Sequence, residues 1–165
     1  MLIALGVSPG LRHLAYCVLK FDGGPKAELL DSDVLRGGRT IRDLNVFELA
    51  IKFRIHSMIL DLVWERHTPT VLGLGPRASS QEPVEYSDFA RHALRAFAHA
   101  VGGIRTVQVS SKEFPLFLGK SLPVGIRNYV DCPPQVRDPK LLSAIGTALC
   151  AGMDTQRPPS KQILG

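Results

Sequence analysis

The chain has 165 residues, 45% of them hydrophobic and 21% charged, with a net charge of +5. That is enough chain, of ordinary globular composition, for one domain with a sizeable core, and no apolar run nears the ~20 residues of a membrane span. The first residues carry neither a basic start nor a small-residue cleavage site, so a cytoplasmic protein is expected, and its basic balance suits a polyanionic partner.

Leu2 to Val7 is apolar at almost every position, the mark of a strand buried on both faces. Ser8-Pro9-Gly10 turns the chain, and Leu14 to Leu19 returns as a second strand. After a Gly/Pro turn over Phe21 to Lys26, Leu29 to Leu35 reads as a third strand. Arg36 to Thr40 is a loop with two arginines. Ile41 to Arg66 contains no Gly or Pro and reads as one long helix capped by Thr40. Its apolar residues exceed a single stripe, which implies burial on more than one side, against the core or against another protein.

Thr68-Pro69-Thr70 ends that helix, and Val71 to Leu74 is a short strand closed by Gly75-Pro76. Tyr86 to Val101 is expected to be a helix with Phe89, Ala93, Phe97 and Val101 facing inward. Arg91, His92, Arg95 and His99 are expected on its outer face. Ile104 to Val109 is the next strand. Gly119-Lys120-Ser121 looks like the end of a phosphate-binding loop, but position 114 is Phe where that motif needs Gly. Ile126 to Val130 reads as a short helix, and Pro139 to Met153 as a last helix rich in small residues. Residues 1–153 are expected to form the domain, and 154–165 a loose tail. The odd set Cys17, Cys132 and Cys150 has no CxxC spacing and reads as buried thiols. The order of elements supports an α/β protein with a mixed sheet.

The opening hairpin resembles that of the RuvC family of Holliday-junction resolvases, which read Asp-Pro-Gly-x-Arg where this chain reads Ser8-Pro9-Gly10-Leu11-Arg12. The likeness covers about residues 2 to 152. The segment His67 to Gly75 is similar to the family's helix end, proline and strand; counted from Pro69, the family's catalytic Glu falls at Gly75. Thr106 to Gly119 looks like its next strand and helix. Lys140 to Gly146 resembles its Asp-x-x-Asp/His-Ala-Leu-Ala helix, with Lys140 and Ser143 at the acid positions.

The resemblance implies a ribonuclease-H-like fold, a five-stranded mixed sheet flanked by helices. It also implies a place for two divalent metals, which require carboxylate ligands. Ser8, Gly75, Lys140 and Ser143 supply none. A shifted alignment brings in Asp138 or Glu82, but residues 1–21 hold no Asp or Glu at all. The expectation is therefore a protein with no metal, no cofactor and no nuclease activity. The family also places an aromatic residue where this chain has Ala78, and a Lys where it has Gly125. Arg77, Arg91, Arg95, Lys112, Lys120 and Arg127 remain as candidate phosphate contacts. Two functions are expected from these features: a non-cleaving, homodimeric binder of branched or duplex DNA such as four-way junctions, or a protein-interaction module that kept the fold and lost nucleic acid.

Overall fold

In the computed structural model, residues 1–9, 13–36, 60–75, 84–100, 102, 104–110, 112, 114, 122–131 and 138–156 are described. The apolar run at the start forms β1 (Leu2–Pro9), and its return forms β2 (His13–Phe21). The two are antiparallel, with Leu2 opposite Phe21 and Ser8 opposite Ala15. Next come β3 (Ala27–Arg36), β4 (Val71–Leu74), β5 (Arg105–Gln108) and β6 (Val130–Asp131). They form one mixed sheet in the order β5-β4-β1-β2-β3-β6, so β1 is interior. β4 runs parallel to β1, β5 to β4, and β6 to β3.

The described residues thus hold six strands where five are expected from sequence. The extra one is β6, which at two residues is too short to carry any periodicity. The helices are α1 (residues 60–67), α2 (Val84–Ala100), α3 (Leu122–Tyr129) and α4 (Pro139–Gln156). Residues 41–59 of the expected long helix lie outside the described residues. α4 continues into the expected tail through residues 154–156, with the Thr155 hydroxyl donating to the Ala151 carbonyl at 2.8 Å and Arg105 paired to Asp154 at 2.9 Å; residues 157–165 lie outside the described residues. No helix among the described residues is long and apolar enough to cross a membrane.

Alternation along β1 divides the core into two layers. Ile3, Leu5 and Val7 join Leu14, Tyr16, Val18, Leu72 and Leu74 against Leu60 and Val63 of α1 and Leu94 and Ala98 of α2. Trp64 meets Phe97 edge-to-face at 5.7 Å, joining α1 to α2; such a pair contributes about 1 kcal/mol beyond its burial. On the other face, Ala4, Ala15, Cys17, Leu19 and Phe21 pack on Ala144, Ile145, Ala148 and Leu149 of α4. Cys17 and Cys150 are buried and outside any disulfide, and burial pushes the Cys17 thiol well above the usual thiol range; Cys132 lies outside the described residues.

Small residues let α4 approach the sheet closely. A Cβ on Gly6 would lie 2.5 Å from the Ala144 carbonyl oxygen, and one on Gly73 would lie 2.9 Å from the Ala151 Cβ. α4 therefore rests its backbone directly on β1.

The end of α1 is fixed by a polar cluster on the opposite face. Thr68 takes φ +45° and its N–H donates to the Trp64 carbonyl at 2.8 Å, a left-handed helix cap. Just before it, His67 Nε2 lies 3.2 Å from Asp31 Oδ2, with Arg66 at 3.9 Å. Tyr16 donates its hydroxyl to Asp31 Oδ1 at 3.4 Å. Burial first, and then the carboxylates of Asp31 and Asp33, push the Tyr16 phenol up to about 12.

Two outcomes follow from this packing. Gly6→Ala forces α4 off the sheet and costs at least about 3 kcal/mol, at the upper end of overpacking effects, read from the denaturation midpoint. In an absorbance titration, Tyr16 ionises near pH 12 and Asp31→Asn lowers that value without restoring the ordinary one, because burial remains the larger cause. The folded phenol holds its proton above the unfolded pKa. Its contribution to stability is therefore complete below about pH 10 and lost as pH rises through about 12.

Candidate functional site

β1, β4 and β5 are parallel, so their C-terminal ends share one edge of the sheet. Open α/β sheets present their ligand sites at such an edge. Ser8 stands there, facing α4 as Ala4 and Gly6 do. It is 2% exposed, and its hydroxyl donates to Ser143 Oγ at 3.1 Å. Gly75, the residue after β4, donates its N–H to the Val7 carbonyl at 2.8 Å. A Cβ on Gly75 would lie 2.6 Å from Thr147 Oγ1, so the missing side chain is space that Thr147 fills. Thr147 is fully buried and donates its hydroxyl to the Ser143 carbonyl at 2.7 Å.

The start of α4 fixes this group. Pro139 occupies the first helical position, where its missing N–H costs nothing, and Asp138 caps the helix by accepting from the Lys140 N–H at 3.0 Å. Lys140, Ser143 and Thr147 follow at spacings of three and four and share one helix face. Ser8, Gly75 and Ser143 thus meet although they are distant in sequence, and half-buried Lys140 stands one turn before Ser143. Thr147 was not singled out from the sequence. Its spacing of four from Ser143 is the one signal in the sequence, and a hydroxyl there does not mark a metal site.

Among the described residues this edge offers the hydroxyls of Ser8, Ser143 and Thr147; Ser8 bonds to Ser143, and Thr147 to the Ser143 carbonyl. Divalent metals such as Mg²⁺ are held through carboxylates. Asp138, just before α4, caps that helix. Among the described residues no group of three or more His, Cys, Asp or Glu is placed to hold a metal ion. The described residues at this edge do not fit a metal pair.

No protein-family model matches the sequence, and neither does any curated protein. Solved structures do match. RuvC of Thermus thermophilus superimposes with a TM-score of 0.72 at 19% identity, over 90% of this chain and 92% of that one. The same protein in complex with a Holliday junction substrate gives 0.71 at 20% identity, over 90% and 92%. The yeast mitochondrial Holliday junction resolvase Ydc2 gives 0.57 at 14% identity, over 97% and 83%. The fold is RuvC-like.

On this RuvC-like sheet the candidate basic residues separate. Arg95 is exposed on α2 and donates to Gln108 Oε1 at 2.8 Å, at the C-terminal end of β5. Lys112 is exposed four residues further on, beyond the same sheet edge as Ser8. Arg127 is exposed too, but it lies three residues before Val130, which pairs with Ala27 at the other end of the sheet. Ala27 is level with Leu2, roughly 20 Å from Ser8 along β1. Arg77 and Lys120 lie outside the described residues.

Arg91 departs from the expected outer face. It precedes the buried Leu94 and Ala98 by three and seven, so it sits at the margin of the core-facing stripe. It is half-buried, and its Nε is buried without a hydrogen-bond partner. His92, Arg95 and His99 are exposed as expected.

The Ser8–Ser143 bond crosses from strand to helix. A double-mutant cycle with Ser8→Ala and Ser143→Ala is expected to give a coupling of about 1 kcal/mol in chemical denaturation, the usual net value of one neutral hydrogen bond. Additive losses from the two changes exclude the bond.

Proposed function

We propose that the chain is a RuvC-like protein that binds branched or duplex DNA, as a homodimer, without cutting it. One observation carries the proposal. At the strand ends where the resemblance calls for metal-binding acids, the buried Ser8 hydroxyl bonds to Ser143 at 3.1 Å, and Thr147 takes the space beside Gly75. Two-metal phosphodiester hydrolysis uses the ions to activate water and to stabilise the leaving oxygen; hydroxyls bonded to each other replace neither. The net charge of +5 and the exposed Arg95 and Lys112 favour a polyanion. The similarity to a resolvase solved with a Holliday junction substrate favours a branched one.

A second reading has its own observation. Residues 41–66 carry more apolar side chains than a single stripe, and such an excess suits a protein contact. On this reading the chain is an interaction module without nucleic acid.

Purified protein is expected to leave four-way junctions uncut with Mg²⁺ or Mn²⁺, and Ser8→Asp alone to leave them uncut as well. Symmetric cleavage abolished by a chelator contradicts the proposal. In a salt-titrated binding assay, wild type binds junction or duplex. Arg95→Ala with Lys112→Ala weakens binding to all sequences alike and flattens the log–log salt slope by about 0.9 per lost contact. Absence of binding at low salt leaves the interaction module.

A further inference from the structure

Residues 89–112 hold no Asp or Glu, the longest such stretch in the chain, and they carry Arg91, Arg95, Arg105 and Lys112 with His92 and His99. Within α2, His92, Arg95 and His99 follow at spacings of three and four, so they form one ridge about 10 Å long. All three are exposed, while Leu94 and Ala98 of the same helix are buried. Arg95 is held in place through its bond to Gln108 Oε1 at 2.8 Å, and that bond uses one of the five donors of a guanidinium. Among the described residues the rings of His92 and His99 hold no hydrogen bond and no ion pair. We infer that this ridge is a contact line for the phosphate backbone of DNA whose charge is set by pH, with the permanent cation of Arg95 between two histidines that add charge as the medium turns acid. The inference rests on the DNA-binding reading and deepens it.

The surroundings of the ridge do not neutralise it. On the helix itself Asp88 precedes His92 by one turn. β1 and β4, which pack under α2, carry no charged residue. β5 brings Arg105, paired to Asp154, and the uncharged Gln108. α1, joined to α2 through Trp64 and Phe97, brings Asp61, Glu65, Arg66 and His67, and the last two are turned to Asp31. Among the described residues no acid is bonded to the ridge. Histidine is the side chain whose ordinary charge change falls between about pH 5 and 8, and a phosphate beside it favours the charged form. Each proton taken up adds one contact of the kind that releases a counterion. Binding along the ridge is therefore tighter and more salt-sensitive in mild acid, and it takes up protons.

The test uses the full chain with a four-way junction and a duplex, in one salt series at about pH 8 and another at about pH 6. Wild type binds more tightly at the lower pH, and its log–log slope steepens by about 0.9 for each histidine that meets a phosphate. His92→Gln with His99→Gln keeps the slope of the higher pH and loses the slope added by acid. Arg95→Gln flattens the slope by about 0.9 at both. Calorimetry at about pH 7, in two buffers of different ionisation heat, shows proton uptake when wild type binds and less uptake in the double histidine variant. That measurement keeps the inference testable if acid unfolds the protein, and circular dichroism confirms the folding of each variant.

A wild-type slope that is the same at both pH values overturns the inference. So does a slope increment in acid that the double histidine variant retains, or an unchanged slope for Arg95→Gln. Each of these leaves DNA binding intact and moves the contact elsewhere. Failure of wild type to bind any DNA at low salt and either pH removes the DNA-binding reading itself and this inference with it.

Discussion

The closeness of α4 to β1 is the constraint from which the rest of the structure follows. Gly6 offers no side chain, and Ala144 and Ala148 offer only methyl groups. The helix can therefore lie with its backbone against an interior strand. Seating it there fixes where its first turns emerge, at the C-terminal edge of the parallel strands. Ser143 reaches Ser8 across 135 positions of sequence because of that contact, and no longer side chain is required. Were α4 an ångström or two further out, two short hydroxyl side chains could not meet.

The two faces of the sheet are held differently. The α4 face depends on close backbone approach among small residues. The other depends on large side chains, with Leu60, Val63, Leu94 and the Trp64–Phe97 pair filling the space under α1 and α2. It is on this second face that charge enters the fold, through Asp31 between Tyr16 and His67. That carboxylate completes the hydrogen bond of a buried phenol while it faces the C-terminal end of α1, where positive side chains are favoured by the helix dipole. Asp31 and the group of Ser8, Ser143 and Thr147 thus lie on opposite faces of the sheet.

Much of this was readable from residues alone. The run Leu2 to Val7 is apolar throughout because it is interior, and the same double burial made it recognisable. Val71 to Leu74 was bounded by Pro69 before it and Gly75-Pro76 after it, and the strand has those limits. Other features have causes that lie in tertiary contact. The strand β6 exists because Val130 reaches Ala27, which no local pattern records. Arg91 is drawn toward the core because the buried stripe of α2 is centred on Leu94 and Ala98, one position away from the stripe its aromatic residues suggest. At the site, the identities of Ser8, Gly75 and Ser143 could be read from alignment, but not the way they fit. Thr147 matters through the volume it occupies, and volume is visible only once the helix is on the sheet.

The pairing of Gly75 with Thr147 bears on the order in which substitutions can accumulate here. Any residue other than glycine at 75 begins with a Cβ, and that atom meets a rigid, hydrogen-bonded threonine oxygen. A carboxylate gained at 75 is therefore harmful in the present background, whatever chemistry it brings. The change becomes tolerable only after position 147 has been reduced to Ala or Gly, and that first step leaves a cavity with no compensating gain. Each route to a carboxylate at position 75 thus passes through a less stable protein. The two residues act as a pair, and Thr147 holds its neighbour to glycine.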